Sequence, residues 1–305
     1  MNLGNQLHQI ASLIGFSEKY NCELVLPEWK YSQYFEHPPA QANVQTNFFV
    51  KEEDYHYVPE FWDKYTDIFR TQNTDILGFL QSEKYWPHCK EKVHHALTFK
   101  REFLLQTKTK FFEAFQRKTI AISIRRGDFV ANPNHFLLPI DFYLQALLKF
   151  FPNYKNYNII IFSDDSRYCK MEIKSLCNFY FAADLNAIEQ LCLMSMCDHF
   201  IISNSTFSWW GAMLGEKKDS VIIRSPYYVS GELKAKLNTK DYYPDRWVSY
   251  DHVEEKIDLR TVRRNRLLRM IDKNKTRYKL KRKSIMIKLK PFINLSSITN
   301  NKFLL

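Results

Sequence analysis

Three stretches decide the fold: Thr119–Asp128 (TIAISIRRGD), Tyr157–Asp165 (YNIIIFSDD) and His199–Gly211 (HFIISNSTFSWWG). Each opens with an apolar or β-branched run and then breaks into polar residues. A short apolar run ended by turn-forming residues reads as a buried strand. The segments between them have helical spacing. Ile140–Phe151 puts Tyr143, Leu144, Leu147 and Leu148 on one face, and Arg167–Cys177 and Ala187–Met196 also read as helices. Phe179–Ala182 and Val221–Ile223 add two short strands, and Trp209–Leu214 a helix. Apolar strands alternating with helices predict an α/β fold with a parallel sheet covered on both faces. Ligands of such sheets bind at the carboxyl ends of the strands, where RRGD, SDD and SNSTF fall.

Working outward, Asn5–Lys19 reads as a helix and Glu23–Leu26 (ELVL) as a strand. Residues 30–110 are rich in aromatics and broken at Pro38-Pro39 and Pro87. They predict a second, smaller α/β domain without marking its elements.

The chain has 305 residues, 45% hydrophobic and 25% charged, with 7 glycines. That supplies ample apolar surface for a core and excludes disordered, collagen-like and Gly-rich architectures. No apolar run is long enough to predict a membrane-spanning helix. The N-terminus lacks the basic and apolar regions of a secretory signal. The six cysteines have no metal-ligand spacing and read as buried, reduced thiols, so a cytoplasmic setting is expected.

The formal net charge of +11 is concentrated in one segment. Residues 259–290 hold 14 basic residues and one acid, which leaves the rest of the chain at −2. This segment reads as a solvated helix with a frayed tail, or as a device for docking on an anionic membrane surface at the cytoplasmic face. No nucleic-acid-binding motif accompanies the charge, so no nucleic-acid partner is expected.

Four clusters are candidates for chemistry. Arg125 and Arg126 present two guanidinium forks beside Gly127, a set suited to phosphate oxygens, and Asp128 would orient an arginine or act as a base. A surface Arg–Asp pair is the plainer alternative. Asn204, Ser205, Thr206 and Phe207 follow a strand and open a helix, which makes either an anion site or a simple N-cap. Asp164 and Asp165 would accept from a nucleobase or ribose, or cap the next helix. Asn5 and Gln6, after Gly4, open the first helix, either as part of a site or as a simple cap. There is no D-x-D motif and no His/Cys cluster, so no metal is expected. Arginine and helix dipole would neutralise a bound diphosphate.

Taken together, Gly4-Asn5-Gln6-Leu7, Lys19–Leu26, Ile124–Asp128, Phe162–Asp165 and Ile202–Gly211 resemble the α-1,2-fucosyltransferases of glycosyltransferase family 11. The resemblance runs from residue 4 to about residue 224. It implies a GT-B-like fold, two Rossmann-like domains facing a cleft, here with a basic C-terminal helical tail. The corresponding boundaries are 1–115 for the acceptor-side domain, 116–258 for the donor-binding domain and 259–305 for the tail. It implies GDP-β-L-fucose as donor, a terminal β-galactoside as acceptor, inversion at the fucose anomeric carbon, and neither metal nor cofactor. Arg125 and Arg126 would hold the diphosphate, Ser205, Thr206 and Phe207 would lie near the phosphates, Asp164 and Asp165 near the guanosine, and Asn5 and Gln6 would line the cleft.

Two departures from the family pattern stand out. Ser123 occupies the position where the family usually has a histidine, two residues before the arginine pair. The chain also opens at Met1-Asn2-Leu3-Gly4, where members carry a first strand and a glycine pair, so the first strand is expected to be missing, through a misplaced start or a truncation. These departures motivate an alternative, a catalytically inactive sugar-nucleotide-binding relative. A fucosyltransferase of different linkage is a second.

Overall fold

The computed structural model describes residues 2–52, 57–173, 179–257 and 259. The expected tail over 259–305 lies outside the described residues apart from Leu259, as does Cys177. Met1–Ile257 form one compact unit.

The chain begins with α1 (Leu3–Tyr20), β1 (Phe48–Lys51), α2 (Pro59–Asp63), α3 (Thr66–Thr71), β2 (Thr74–Leu77), α4 (Lys90–Ala96) and α5 (Arg101–Thr109). It continues through β3 (Thr119–Ile124), α6 (Ile140–Phe150), β4 (Asn158–Ser163), α7 (Ser166–Ile173), β5 (Phe179–Phe181), α8 (Ala187–Ser195) and β6 (His199–Ile202). Last come α9 (Thr206–Gly215), β7 (Ile222–Arg224), α10 (Leu233–Lys236) and β8 (Val248–Ser249). The expected strand–helix alternation is present from β3 onward.

Strands β3 to β8 form one parallel sheet in the order β5-β4-β3-β6-β7-β8. The chain moves outward from β3 through β4 to β5 and then crosses back to place β6 on the other side of β3. The order therefore reverses between β3 and β6, the topological switch point at which open parallel sheets bind ligands. Every residue of β3 and β6 is buried. Full burial on both faces explains why these strands read as unbroken apolar runs. Ser123 pairs with Ile202, so the segments beginning at Arg125 and Ser203 leave the sheet side by side.

The N-terminal part carries a two-stranded parallel sheet, β1 beside β2. The ELVL run does not form the expected strand: Leu26 makes an isolated parallel bridge to Gln41. The Leu26 N–H and C=O bond to Ala40 and Ala42, and Pro27, which has no N–H to donate, ends the run. The stretch after α1, α1 itself and the edge of β2 enclose a cavity of about 750 Å³, floored by Gln6, Ile10, Leu13 and Phe16 and bordered by Thr74–Ile76.

One apolar core joins the two parts. α1 lies against α9, with the His8 ring on Trp209 and Trp210 at 4.5 and 5.3 Å. Arg246 adds a polar tie, paired with Glu83 at 2.7 Å and with Glu216 at 2.7 Å. The five described cysteines are free; four are buried as expected and Cys22 is half-buried, and burial pushes the Cys192 and Cys197 thiols up to about 12. No described helix is long and apolar enough to cross a membrane.

Candidate active site

A cavity of about 610 Å³ opens at the switch point. Arg125 and Asp128 enter it from the end of β3, and Asn204, Ser205, Thr206 and Phe207 from the end of β6 and the start of α9. Asn2, Leu3, Gly4 and Asn5 enter it from the start of α1. A smaller cavity of about 170 Å³ shares Arg125, Ser205 and Phe207 with the first and adds Ser123 and Asp164.

Two helix N-termini meet here. Neither α1 nor α9 carries an acidic residue in its first turn. Asn2 precedes α1 without a side-chain cap, while the Ser205 hydroxyl accepts from the Phe207 N–H at 3.3 Å. Close approach of the helices depends on Gly4, because a Cβ there would stand 2.5 Å from the Phe207 nitrogen. Converging N–H groups and positive dipole ends make an anion site.

Arg125 supplies a positive side chain. Its guanidinium pairs with Asp128 at 2.6 Å and Asp164 at 2.8 Å. The Asp128 side chain is 57% exposed, so one of these two partners faces open water. Asp164 also accepts from the Arg126 backbone N–H at 2.9 Å. Gly127 makes room for this: a Cβ there would collide with the Asp164 carboxylate.

The adjacent Arg126 points elsewhere. Its guanidinium pairs with Asp165 at 3.1 Å and stacks 3.5 Å from the centre of the Tyr168 ring. The Tyr168 backbone N–H, followed by Arg126, holds the Asp165 carboxyl below the usual range. Arg126 and Asp165 are thus absorbed in bracing the start of α7, and neither lines either cavity. Gln6 faces the 750 Å³ cavity and accepts from the Trp29 indole at 3.2 Å. The Ser123 hydroxyl is buried and lies 2.7 Å from that of Ser208. Asn204 gives its amide to the carbonyls of Phe136 and Tyr228, at 2.9 and 2.5 Å, and ties two cavity-lining loops together.

Several lining residues were not anticipated: Lys30, Tyr31, Phe79, Gln81, Phe129, His135, Tyr228 and Tyr242. His135 stacks on Phe129 with ring centres 4.2 Å apart, and burial lowers its pKa. The order of glycine and aromatic in Gly78-Phe79 is the one local hint of a turn presenting a ring. Among the described residues, no three His, Cys, Asp or Glu side chains are grouped to hold a metal ion.

Comparison with known proteins bears on the family and the fold. The profile described as Glycosyl transferase family 11 matches residues 2–251. The Escherichia coli O-antigen biosynthesis glycosyltransferase WbnK is 33% identical over 139 residues, covering 43% of this chain and 44% of that protein. An Escherichia coli α-1,2-colitosyltransferase is 26% identical over 284 residues, covering 81% of this chain and 95% of that protein. Among solved structures, POFUT1 in complex with GDP aligns with a TM-score of 0.50 and 13% identity, over 73% of this chain and 95% of that one. The fold is GT-B-like, and the chain belongs to glycosyl transferase family 11.

Proposed function

We propose that the chain transfers L-fucose from GDP-β-L-fucose to the 2-hydroxyl of a terminal β-galactoside, with inversion and without a metal ion or other cofactor. The observation that carries this reading is the convergence of two helix N-termini and Arg125 on one cavity at the sheet's switch point. Family membership and a GDP-bound structure of the same fold support it.

The chemistry follows from where charge develops. The bond between the sugar C1 and the β-phosphate oxygen breaks, and its electron pair leaves with GDP. Negative charge grows on that phosphate as positive charge grows on the sugar ring. Arg125 and the N–H groups of Leu3, Gly4 and Thr206 bind the departing phosphate more tightly as its charge increases, which lowers the barrier. The acceptor oxygen forms its bond to C1 from the opposite face and gives its proton to the exposed carboxylate of Asp128. Asp164 and Ser123, at the smaller cavity, sit on the nucleoside side. Arg126, Asp165 and Asn204 hold the frame, and Gln6 supports α1.

A second donor is favoured by one observation: the relative matched over most of its length is a colitosyltransferase. The test is incubation with GDP-fucose or GDP-colitose and lactose in the presence of EDTA, with the product linkage read by NMR. An α-1,2-fucosyl product supports the proposal, and colitose transfer alone moves the donor to the second reading. GDP binding without turnover of either donor identifies an inactive relative.

The basic segment 259–290 is assigned a separate role, holding the enzyme on an anionic membrane face from the cytoplasmic side. Flotation with anionic liposomes should be lost when the chain ends at Asp258, and unchanged flotation refutes it.

A further inference from the structure

The turn Gly78–Ser82 is built under strain. Leu80 is a buried, non-glycine residue at φ 52°. Such a conformation persists where the surroundings over-determine it, and it clusters at functional sites. Here the surroundings do so from three sides. The Glu52 carboxylate accepts from the backbone N–H groups of Phe79 and Leu80, at 2.8 and 3.2 Å. Ser12 donates to the Leu80 carbonyl at 3.0 Å, and Gln9 to the Gly78 carbonyl at 2.7 Å. With Leu80 turned into the core, its neighbours Phe79 and Gln81 both line the 610 Å³ cavity that holds Arg125.

The two residues differ in chemistry. Phe79 is 37% exposed and brings an aromatic face. Gln81 donates to the Asn5 side chain at 3.2 Å and accepts from the Tyr228 hydroxyl at 2.9 Å, which leaves its amide one further N–H and one further lone pair. A pyranose ring has a C–H face that packs on an aromatic and a rim of hydroxyls that an amide can read.

We infer that the strained Gly78–Ser82 turn determines acceptor specificity, with Phe79 stacking on the acceptor sugar and Gln81 hydrogen-bonding its hydroxyl rim. This rests on the transfer reading above and adds to it the element that recognises the acceptor. The probe is lactose. Phe79→Ala and Gln81→Ala should each raise the KM for lactose at least tenfold while the KM for GDP-fucose stays within twofold, and Phe79→Tyr should restore it. A lactose KM unchanged in both variants, or a donor KM that rises in parallel, overturns the assignment. Saturation-transfer NMR of lactose gives a readout independent of turnover. A signal in the unaltered protein that Phe79→Ala abolishes supports the turn even if no donor is turned over, an outcome that would defeat the transfer reading alone. Absence of the signal from the unaltered protein in the presence of GDP overturns the turn assignment.

Discussion

Gly4 of α1 stands against Thr206 of α9 so closely that a Cβ on the glycine would lie 2.7 Å from the threonine hydroxyl oxygen. Contact between the two helix starts depends on that missing methyl. Gly4→Ala must move one helix N-terminus off the other. Overpacking of this kind costs about 1–3 kcal/mol, and the displaced N–H groups no longer converge on the phosphates. The expected result is a lower Tm together with GDP binding weakened at least tenfold by calorimetry. Full GDP affinity in a folded Gly4→Ala protein would remove the α1 terminus from the site.

The two adjacent arginines should separate in their effects. Arg125 lines both cavities, whereas Arg126 is committed to Asp165 and Tyr168. Arg125→Ala should lower kcat by about 100-fold or more, the scale of losing a charged transition-state contact. Arg125→Lys should recover only part, because one ammonium cannot replace a fork. Arg126→Lys should chiefly lower Tm. Equal kcat losses in the two Lys variants would show that Arg126 swings into the cavity during turnover.

Asp128 is assigned the acceptor proton. Asp128→Asn keeps the shape and an oxygen for Arg125 and removes the base. The expected change is a kcat lowered by about 100-fold with little change in either KM. Retained kcat would pass the role to His135, which lines the same cavity.

His8 makes the fold sensitive to acid. Both ring nitrogens are buried without a hydrogen-bond partner, and burial lowers its pKa from 6.5 to about 3. Below pH 6.5 the unfolded chain takes up a proton that the folded chain refuses, so stability is complete above 6.5 and falls with pH toward 3. At pH 5 the loss is about 2 kcal/mol, from a gap of about 1.5 pH units to the unfolded pKa. Urea melts at pH 7 and pH 5 should show this loss for the unaltered protein and its absence in His8→Leu. An identical drop in both would place the acid sensitivity elsewhere.

Legibility in the sequence followed the strands. β3, β4 and β6 are buried on both faces, so their composition alone marked them, and the residues that follow them had to fall at one end of the sheet. That placed Arg125, Asp128, Asp164 and the Asn204–Phe207 run. Side-chain direction was not readable: Arg125 and Arg126 are neighbours in sequence, yet one faces the cavity and the other the start of α7. The loop-borne wall was also hidden. Gln81 meets Tyr228 across 147 residues, and Phe79 is aimed by a carboxylate at Glu52 that no local pattern connects to it. The first exists only once the core has joined the two parts of the chain, and the second only once β1 has paired with β2. The ELVL run misled because its composition suits a strand while Pro27 ends its ladder.

The two-stranded sheet has a consequence for handling the protein. Thr74–Ile76 border the 750 Å³ cavity, whose floor includes Ile10, Leu13 and Phe16. A strand edge above a largely apolar floor is a template for any extended backbone that reaches it. The edge is four residues long and carries the carboxylate of Asp75, both features that discourage pairing between molecules. Extra salt would weaken the electrostatic guard that Asp75 provides against pairing between chains at this edge.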